Sequence, residues 1–189
     1  MAALTVAGVL ALQGDFDAHA KAIERAGGRA REVRTLAQLE SVAGLVIPGG
    51  ESTTMLKLLL DEGLFEPLRR FGESKPIFGT CAGAILLARE VSNPEQASLN
   101  LMDIGVQRNA YGRQLDSRVA QIQFEGREVE AVFIRAPIIR RVGEDVSVLA
   151  SYRGDPVLAS EGIHMVATFH PELTADARFH RMFLDRLKG

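Results

Sequence analysis

Pro76-Ile77-Phe78-Gly79-Thr80-Cys81-Ala82-Gly83-Ala84-Ile85-Leu86-Leu87 is the stretch on which the fold turns. Pro76 to Phe78 reads as a short strand, and Ala82 to Arg89 as an apolar helix. Between them, Gly79-Thr80-Cys81-Ala82-Gly83 has the G-x-nucleophile-x-G spacing of a nucleophile elbow. A strand that turns straight into a helix leaves room only for tiny neighbours, hence two glycines and an alanine. The central side chain then stands at the C-terminal edge of a sheet and at a helix N-terminus, where the positive dipole end favours a thiolate. A lone cysteine is commonly just a small buried side chain; here the spacing favours a nucleophile.

Working outward, the first half alternates strand and helix, the pattern of a parallel α/β sheet. Leu4 to Leu12 is an unbroken Val- and Leu-rich run without a period of two, which suits a strand buried on both faces. Phe16 to Arg25 reads as a helix stopped by Gly27-Gly28. Arg29 to Arg34 and Val42 to Ile47 read as strands, and Ser52 to Leu60 as a helix with Gly63 just past its end. From Gly105 to Thr168 the apolar runs shorten and turn signals multiply, at Glu125-Gly126, Gly143-Glu144, Gly154-Asp155-Pro156 and Glu161-Gly162. That spacing predicts several strands, some in antiparallel hairpins, added to the main sheet or to a smaller one. Asp176 to Leu187 reads as a closing helix with Phe179, Phe183 and Leu187 on one face. Ser92 to Asn100 reads as an irregular loop.

The 189 residues hold 22 Lys+Arg and 24 Asp+Glu, a net charge of −2, and 47% are hydrophobic. A chain of this size buries about 70% of its extended surface, and residues 1–189 read as one domain. The near-neutral balance gives no electrostatic case for nucleic acid or for an anionic membrane. One cysteine forms no intrachain disulfide, so nothing calls for an oxidising compartment. Met1 to Leu12 lacks the basic n-region of a signal peptide, since the first basic residue is Lys21, and is too short to span a bilayer. The expected location is therefore cytoplasmic.

A thiol nucleophile needs a base, and the base needs an orienting group. His170-Pro171-Glu172 offers both. Residues i and i+2 of an extended segment point the same way, and Pro171 disfavours helix at His170, so Glu172 is placed to hold the imidazole and fix its tautomer. The other histidines, His19, His164 and His180, lack a carboxylate two residues on. His180 is expected at the surface or core edge, and His164 on the strand face of His170. Pro48-Gly49-Gly50-Glu51 follows another buried strand. It reads either as a plain strand-to-helix turn or as half of an oxyanion hole, the Gly50 and Ala82 N–H groups acting together. The dinucleotide and phosphate-loop glycine motifs are absent, and one cysteine with four scattered histidines shows no metal-ligand spacing.

The elbow and Phe169-His170-Pro171-Glu172 together resemble the class-I, triad-type glutamine amidotransferases. Further stretches are similar to the glutaminase-subunit family of pyridoxal 5′-phosphate synthase. They are Leu10-Ala11-Leu12-Gln13-Gly14, Pro48-Gly49-Gly50-Glu51-Ser52-Thr53, Arg108-Asn109-Ala110-Tyr111-Gly112-Arg113-Gln114 and Phe133-Ile134-Arg135-Ala136-Pro137. The likeness runs from about Val6 to about Phe183. It implies a flavodoxin-like, class-I glutamine amidotransferase architecture and hydrolysis of L-glutamine to L-glutamate and ammonia. The ammonia passes to a separate synthase subunit in a hetero-oligomer, and docking to that subunit switches on a poor free glutaminase. Pyridoxal phosphate is then the partner's product, and no cofactor is implied here. The resemblance makes Cys81 the nucleophile, His170 the base and Glu172 the orienter. It also implies that Gly49, Gly50, Glu51, Arg108, Ile134 and Arg135 contact glutamine, and it puts Gln13 and His19 near the site or the partner surface. The elbow and triad alone serve a glutaminase of another synthase, or another cysteine amide hydrolase, equally well. A non-catalytic scaffold is the third alternative, and it has no physical need of the triad.

Overall fold

Four strands of the first half lie parallel in one sheet, with helices packed on both faces. The computed structural model describes residues 5–110 and 117–189; Leu4 and Tyr111 to Gln114 of the stretches quoted above lie outside the described residues. In chain order the first half comprises β1 (Val6–Leu10), α1 (Phe16–Arg25), β2 (Arg29–Val33), α2 (Leu36–Glu40), β3 (Gly44–Ile47), α3 (Ser52–Asp61), α4 (Phe65–Gly72), β4 (Ile77–Thr80) and α5 (Ala82–Leu87). The second half comprises β5 (Ala88–Ser92), β6 (Met102–Gln107), β7 (Ser117–Phe124), β8 (Arg127–Ile134), β9 (Ile138–Val142), β10 (Ser147–Tyr152), β11 (Asp155–Glu161), β12 (His164–Ala167) and α6 (Arg178–Arg186).

The main sheet runs β10-β11-β12-β4-β3-β1-β2. β2, β1, β3, β4 and β12 are parallel, and β11 and β10 add antiparallel. The missing period of two has its cause here, because both faces are covered. Along β3, Leu45 and Ile47 enter one core with Met55, Leu59 and Ile77, while Val46 enters the other with Val9, Phe78, Met165 and Phe183. The second half divides as its turn signals suggest. β5 and β6 pair in parallel with β9 antiparallel to β6, and β7 and β8 form a hairpin. Glu125 and Gly126, at φ +50° and +74°, make its two-residue turn, as the primed hairpin turns require.

Three elements depart from the sequence reading. The elbow helix stops at Leu87 instead of Arg89, because Ala88 turns extended (φ −64°, ψ 146°) and β5 begins there. The exposed Arg89 and Glu90 then sit in a sheet whose Asp103 and Arg141 supply their ion-pair partners. Helices α2 and α4 went unanticipated. The signal for α2 is present in Thr35-Leu36-Ala37-Gln38. Thr35 accepts from the Gln38 N–H, and Gln38 Oε1 accepts from the Arg34 N–H, a reciprocal cap displaced by one residue. For α4 the signal is the spacing of the buried Leu64, Leu68 and Phe71. Among the described residues no helix is long and apolar enough to cross a membrane.

The order β2-β1-β3 reverses the direction of winding between β1 and β3. In open α/β sheets ligands bind outside the carboxyl ends of the strands near such a reversal. Gln13, Gly49 to Glu51, Cys81 and His170 all follow the carboxyl ends of parallel strands on that edge.

Candidate active site

Cys81 occupies the step from β4 to α5 with φ +50° and ψ −106°. For a non-glycine residue such a conformation costs about 1–3 kcal/mol and is held only by its surroundings. Here its N–H donates to the Ala167 carbonyl of β12 at 2.8 Å, and its own carbonyl accepts from Ala84 at 3.0 Å. The elbow glycines are steric necessities. A Cβ on Gly79 would lie 2.5 Å from the Gly83 carbonyl oxygen, and one on Gly83 would lie 2.2 Å from that of Ile47. The thiol is largely buried and faces the Ile134 carbonyl at 3.9 Å.

His170 follows β12, and its N–H donates to the Val132 carbonyl of β8 at 2.8 Å. Its Nδ1 meets Glu172 Oε1 at 2.7 Å. The pairing agrees with the sequence reading, but the route to it does not. His170 has φ −106° and ψ 87°, and Pro171–Leu173 form a single 3-10 turn. The chain therefore curls to bring the carboxylate back to the ring instead of running extended. Burial opposes a charge on His170, but the Cys81 sulfur and the Glu172 carboxylate outweigh it and push the imidazole up to about 10. Both neighbours thus favour the charged form of the ring. Its Nε2 is buried without a hydrogen-bond partner, as suits an atom that hands its proton to a reacting group.

A cleft of about 390 Å³ opens beside these groups, within the range of small-molecule sites. Its wall includes Gln13, Gly50, Glu51, Cys81, Ala82, Arg108, Ile134, Arg135 and His170. Gly49 stands behind this wall, where a Cβ would lie 2.5 Å from His170 Cε1 and 3.2 Å from Cys81 Cβ. Glu172 is buried behind the imidazole. Gly50, at φ +140°, packs against Gln13, whose Oε1 accepts from the Glu51 N–H at 3.1 Å. Gln13 thus lines the cleft. Gly50 and Ala82 share the cleft wall with Cys81, as an oxyanion-hole pair must.

Arg108 donates to Thr53 Oγ1 at 2.7 Å and lies 3.8 Å from Glu51 Oε1. The Glu51 carboxylate caps α3, accepting from the Thr53 and Thr54 N–H groups at 3.4 and 2.8 Å. Burial works against its charge, yet the bonds from Thr54 and Thr53 and the Arg108 guanidinium hold it below the ordinary carboxylate range. Ile134 and Arg135 reach the cleft on the β7–β8 hairpin. Phe133 of that hairpin packs on Phe169 with ring centroids 5.8 Å apart, and Phe169 on Phe179 of α6 at 5.4 Å.

Of the remaining histidines, His180 and His164 depart from expectation, while His19 lies beside the triad as the resemblance implied. His180 is fully buried, not at the surface, because the apolar face of α6 that carries Phe179 and Phe183 turns it inward. His164 opens β12 and accepts the Ile77 N–H at 3.1 Å, a structural contact. β12 ends at Ala167, so His164 and His170 do not share a strand face. His19 faces inward from α1, with Nε2 3.3 Å from Glu172 Oε2 and 3.1 Å from Thr80 Oγ1. Thr80 stands in the elbow itself, next to Cys81, whereas no local pattern marks His180 as a neighbour of the site; only the tertiary fold brings it there. Among the described residues no group of three or more His, Cys, Asp or Glu side chains is placed to hold a metal ion.

The model of the SNO glutamine amidotransferase family matches residues 9–188. The pyridoxal 5′-phosphate synthase subunit PdxT of Solibacter usitatus (strain Ellin6076) is 61% identical over 188 residues, covering 95% of this chain and 98% of that protein. The crystal structure of a glutamine amidotransferase superposes with a TM-score of 0.91 at 47% identity, covering 97% of this chain and 99% of the other. A glutamine amidotransferase from Thermotoga maritima shares the fold at 14% identity, with a TM-score of 0.62 over 98% of this chain and 84% of its own.

Proposed function

We infer that this chain, which belongs to the SNO glutamine amidotransferase family, hydrolyses L-glutamine to L-glutamate and ammonia and supplies the ammonia to the synthase subunit of pyridoxal 5′-phosphate synthase. That places it in vitamin B6 biosynthesis, within a hetero-oligomer. One observation carries the chemistry. The elbow cysteine, the His170 imidazole and a buried carboxylate converge at a cleft whose wall also holds Arg108 and Glu51, 3.8 Å apart. A guanidinium grips a carboxylate through parallel hydrogen bonds, and a carboxylate beside it suits an ammonium. Such a pair fits the α-carboxylate and α-amino group of a free amino acid.

In this reading the Cys81 thiolate attacks the side-chain amide carbon. The C–S bond forms, and the carbonyl electrons move to oxygen, toward the Gly50 and Ala82 N–H groups. The oxyanion collapses as the C–N bond breaks. His170 gives its Nε2 proton to the departing nitrogen, and ammonia leaves a glutamyl thioester. The neutral imidazole then takes a proton from water, whose oxygen attacks the thioester. Glutamate departs, and the thiolate and imidazolium return. Throughout, Glu172 holds the proton on Nδ1 and steadies the ring's positive charge. We read residues 1–189 as one glutaminase domain working in the cytoplasm.

The test is glutamate release from glutamine by wild type and Cys81→Ala, with and without the synthase subunit. Release that needs Cys81 and rises with the synthase supports the reading. No Cys81-dependent release even with a cognate synthase would overturn it.

A further inference from the structure

We propose that His19 is a positioning residue of the triad, its imidazole held by His180 in the one tautomer that turns an N–H toward the far oxygen of Glu172. The proposal rests on the glutaminase reading above and extends the site by one layer.

The geometry leaves little choice of protons. Glu172 Oε1 is taken by His170, while Oε2 is buried and has no aligned hydrogen bond. Its near neighbour is His19 Nε2 at 3.3 Å, and that nitrogen also lies 3.1 Å from Thr80 Oγ1, with which it is better aligned. Nε2 thus sits in a fork between a hydroxyl and a carboxylate. A bare lone pair there would face the carboxylate's negative charge at 3.3 Å in a dry interior, where such repulsion is barely screened. The proton therefore belongs on Nε2. His19 Nδ1 is then an acceptor, and 2.9 Å away stands His180 Nε2, which must be the donor. His180 Nδ1 has no partner. A single orientation runs through the row: His180 donates to His19, and His19 directs its N–H at Glu172 and Thr80.

The surroundings keep both rings neutral. His19 is fully buried, and burial, with His180 and His170 nearby, holds it well below its ordinary value. Burial and the Arg25 guanidinium push His180 down to about 3. The charged and titratable groups facing the row are Glu172 and His170 on the site side and Arg25 from α1. The row also joins separate elements: α1 carries His19, α6 carries His180, and Thr80 immediately precedes the nucleophile. A carboxylate that loses an N–H donor binds its own proton more readily. His19 therefore offers Glu172 Oε2 an N–H donor, and Glu172 in turn keeps the Nδ1 proton on His170.

The test uses the full chain with its synthase subunit and compares wild type, His19→Leu and His19→Gln. Leucine keeps apolar bulk without the donor, while glutamine returns an N–H at about the reach of Nε2. We expect His19→Leu to lower kcat about tenfold with KM within about twofold. The acid limb of the pH profile should rise by about one unit, and His19→Gln should restore most of both. Nitrogen-15 spectra of the wild type should show His19 and His180 neutral and protonated at Nε2. A purely structural role would leave the acid limb in place. An unchanged profile in an active His19→Leu, or a His19 protonated at Nδ1, overturns the proposal. If His19→Leu does not fold, the wild-type tautomer decides. If the wild type releases no glutamate with its synthase, the glutaminase reading fails, and the tautomer still decides the geometry.

Discussion

A single methyl group at Gly49 should separate binding from chemistry at this site. The backbone there does not require glycine, since Gly49 is not among the residues of positive φ. Gly49→Ala therefore acts by contact alone. Its Cβ would lie 2.5 Å from His170 Cε1 and 3.2 Å from Cys81 Cβ. Carbon atoms settle at about 3.5–4.0 Å, so the ring must retreat by about 1 Å. The motion is resisted, because Nδ1 is bonded to Glu172 at 2.7 Å and the backbone N–H to Val132 at 2.8 Å. A misplacement of about 1 Å costs about 10²-fold in rate, equivalent to roughly 2.7 kcal/mol of barrier. The expected outcome is a kcat about a hundredfold lower, with KM changed far less because Arg108 and Glu51 stay in place. Glutamate release in the presence of the synthase subunit measures both. Alkylation of Cys81 by iodoacetamide should slow in parallel, since the ring that supports the sulfur as a nucleophile has moved. A Gly49→Ala protein with wild-type kcat and alkylation rate would refute the steric reasoning and the placing of His170 as the proton donor.

Arg108→Ala should raise KM for glutamine about 10–100-fold with a smaller effect on kcat, because it removes a charge-assisted contact of about 1.5–3 kcal/mol made before and during the reaction; steady-state kinetics checks the split. Glu172→Gln should move the alkaline limb of glutaminase activity down from near pH 10 toward neutrality, since burial then acts on His170 with one fewer negative neighbour. The same shift reads in stability. His170 is raised from its ordinary 6.5 to about 10, so its stabilising contribution is full below about pH 6.5 and is lost as pH climbs through about 10. The melting-temperature gap between wild type and Glu172→Gln should accordingly be widest near pH 6 and close towards pH 10.

Much of this molecule was legible from local sequence because its signals are local. The elbow needs Gly79 and Gly83 for steric reasons that any copy of the turn must obey. β1 and β3 had to be apolar on both faces once helices covered both sides of the sheet. The hairpin turn at Glu125-Gly126 carries its own backbone preference. The elbow spacing singles out Cys81 and the His-Pro-Glu run singles out His170 with Glu172, though these two meet through a 3-10 turn and not through the extended segment that the proline suggested. α2 was missed although its reciprocal cap is written in Thr35 and Gln38.

What only the tertiary structure decided is the company each side chain keeps. The pairing of Arg108 with Glu51 depends on a loop after β6 crossing to the start of α3. Gly49 became a buttress of the imidazole because β3, β4 and β12 end side by side. His180 is expected at the surface or core edge and lies fully buried, since the face of α6 bearing Phe179 and Phe183 turns it into the core. Its neighbour His19 sits 161 positions away along the chain. Periodicity reports which residues share a face of one element. It carries no information on which faces of α1, β4 and α6 will meet, because that is set by packing the whole sheet at once.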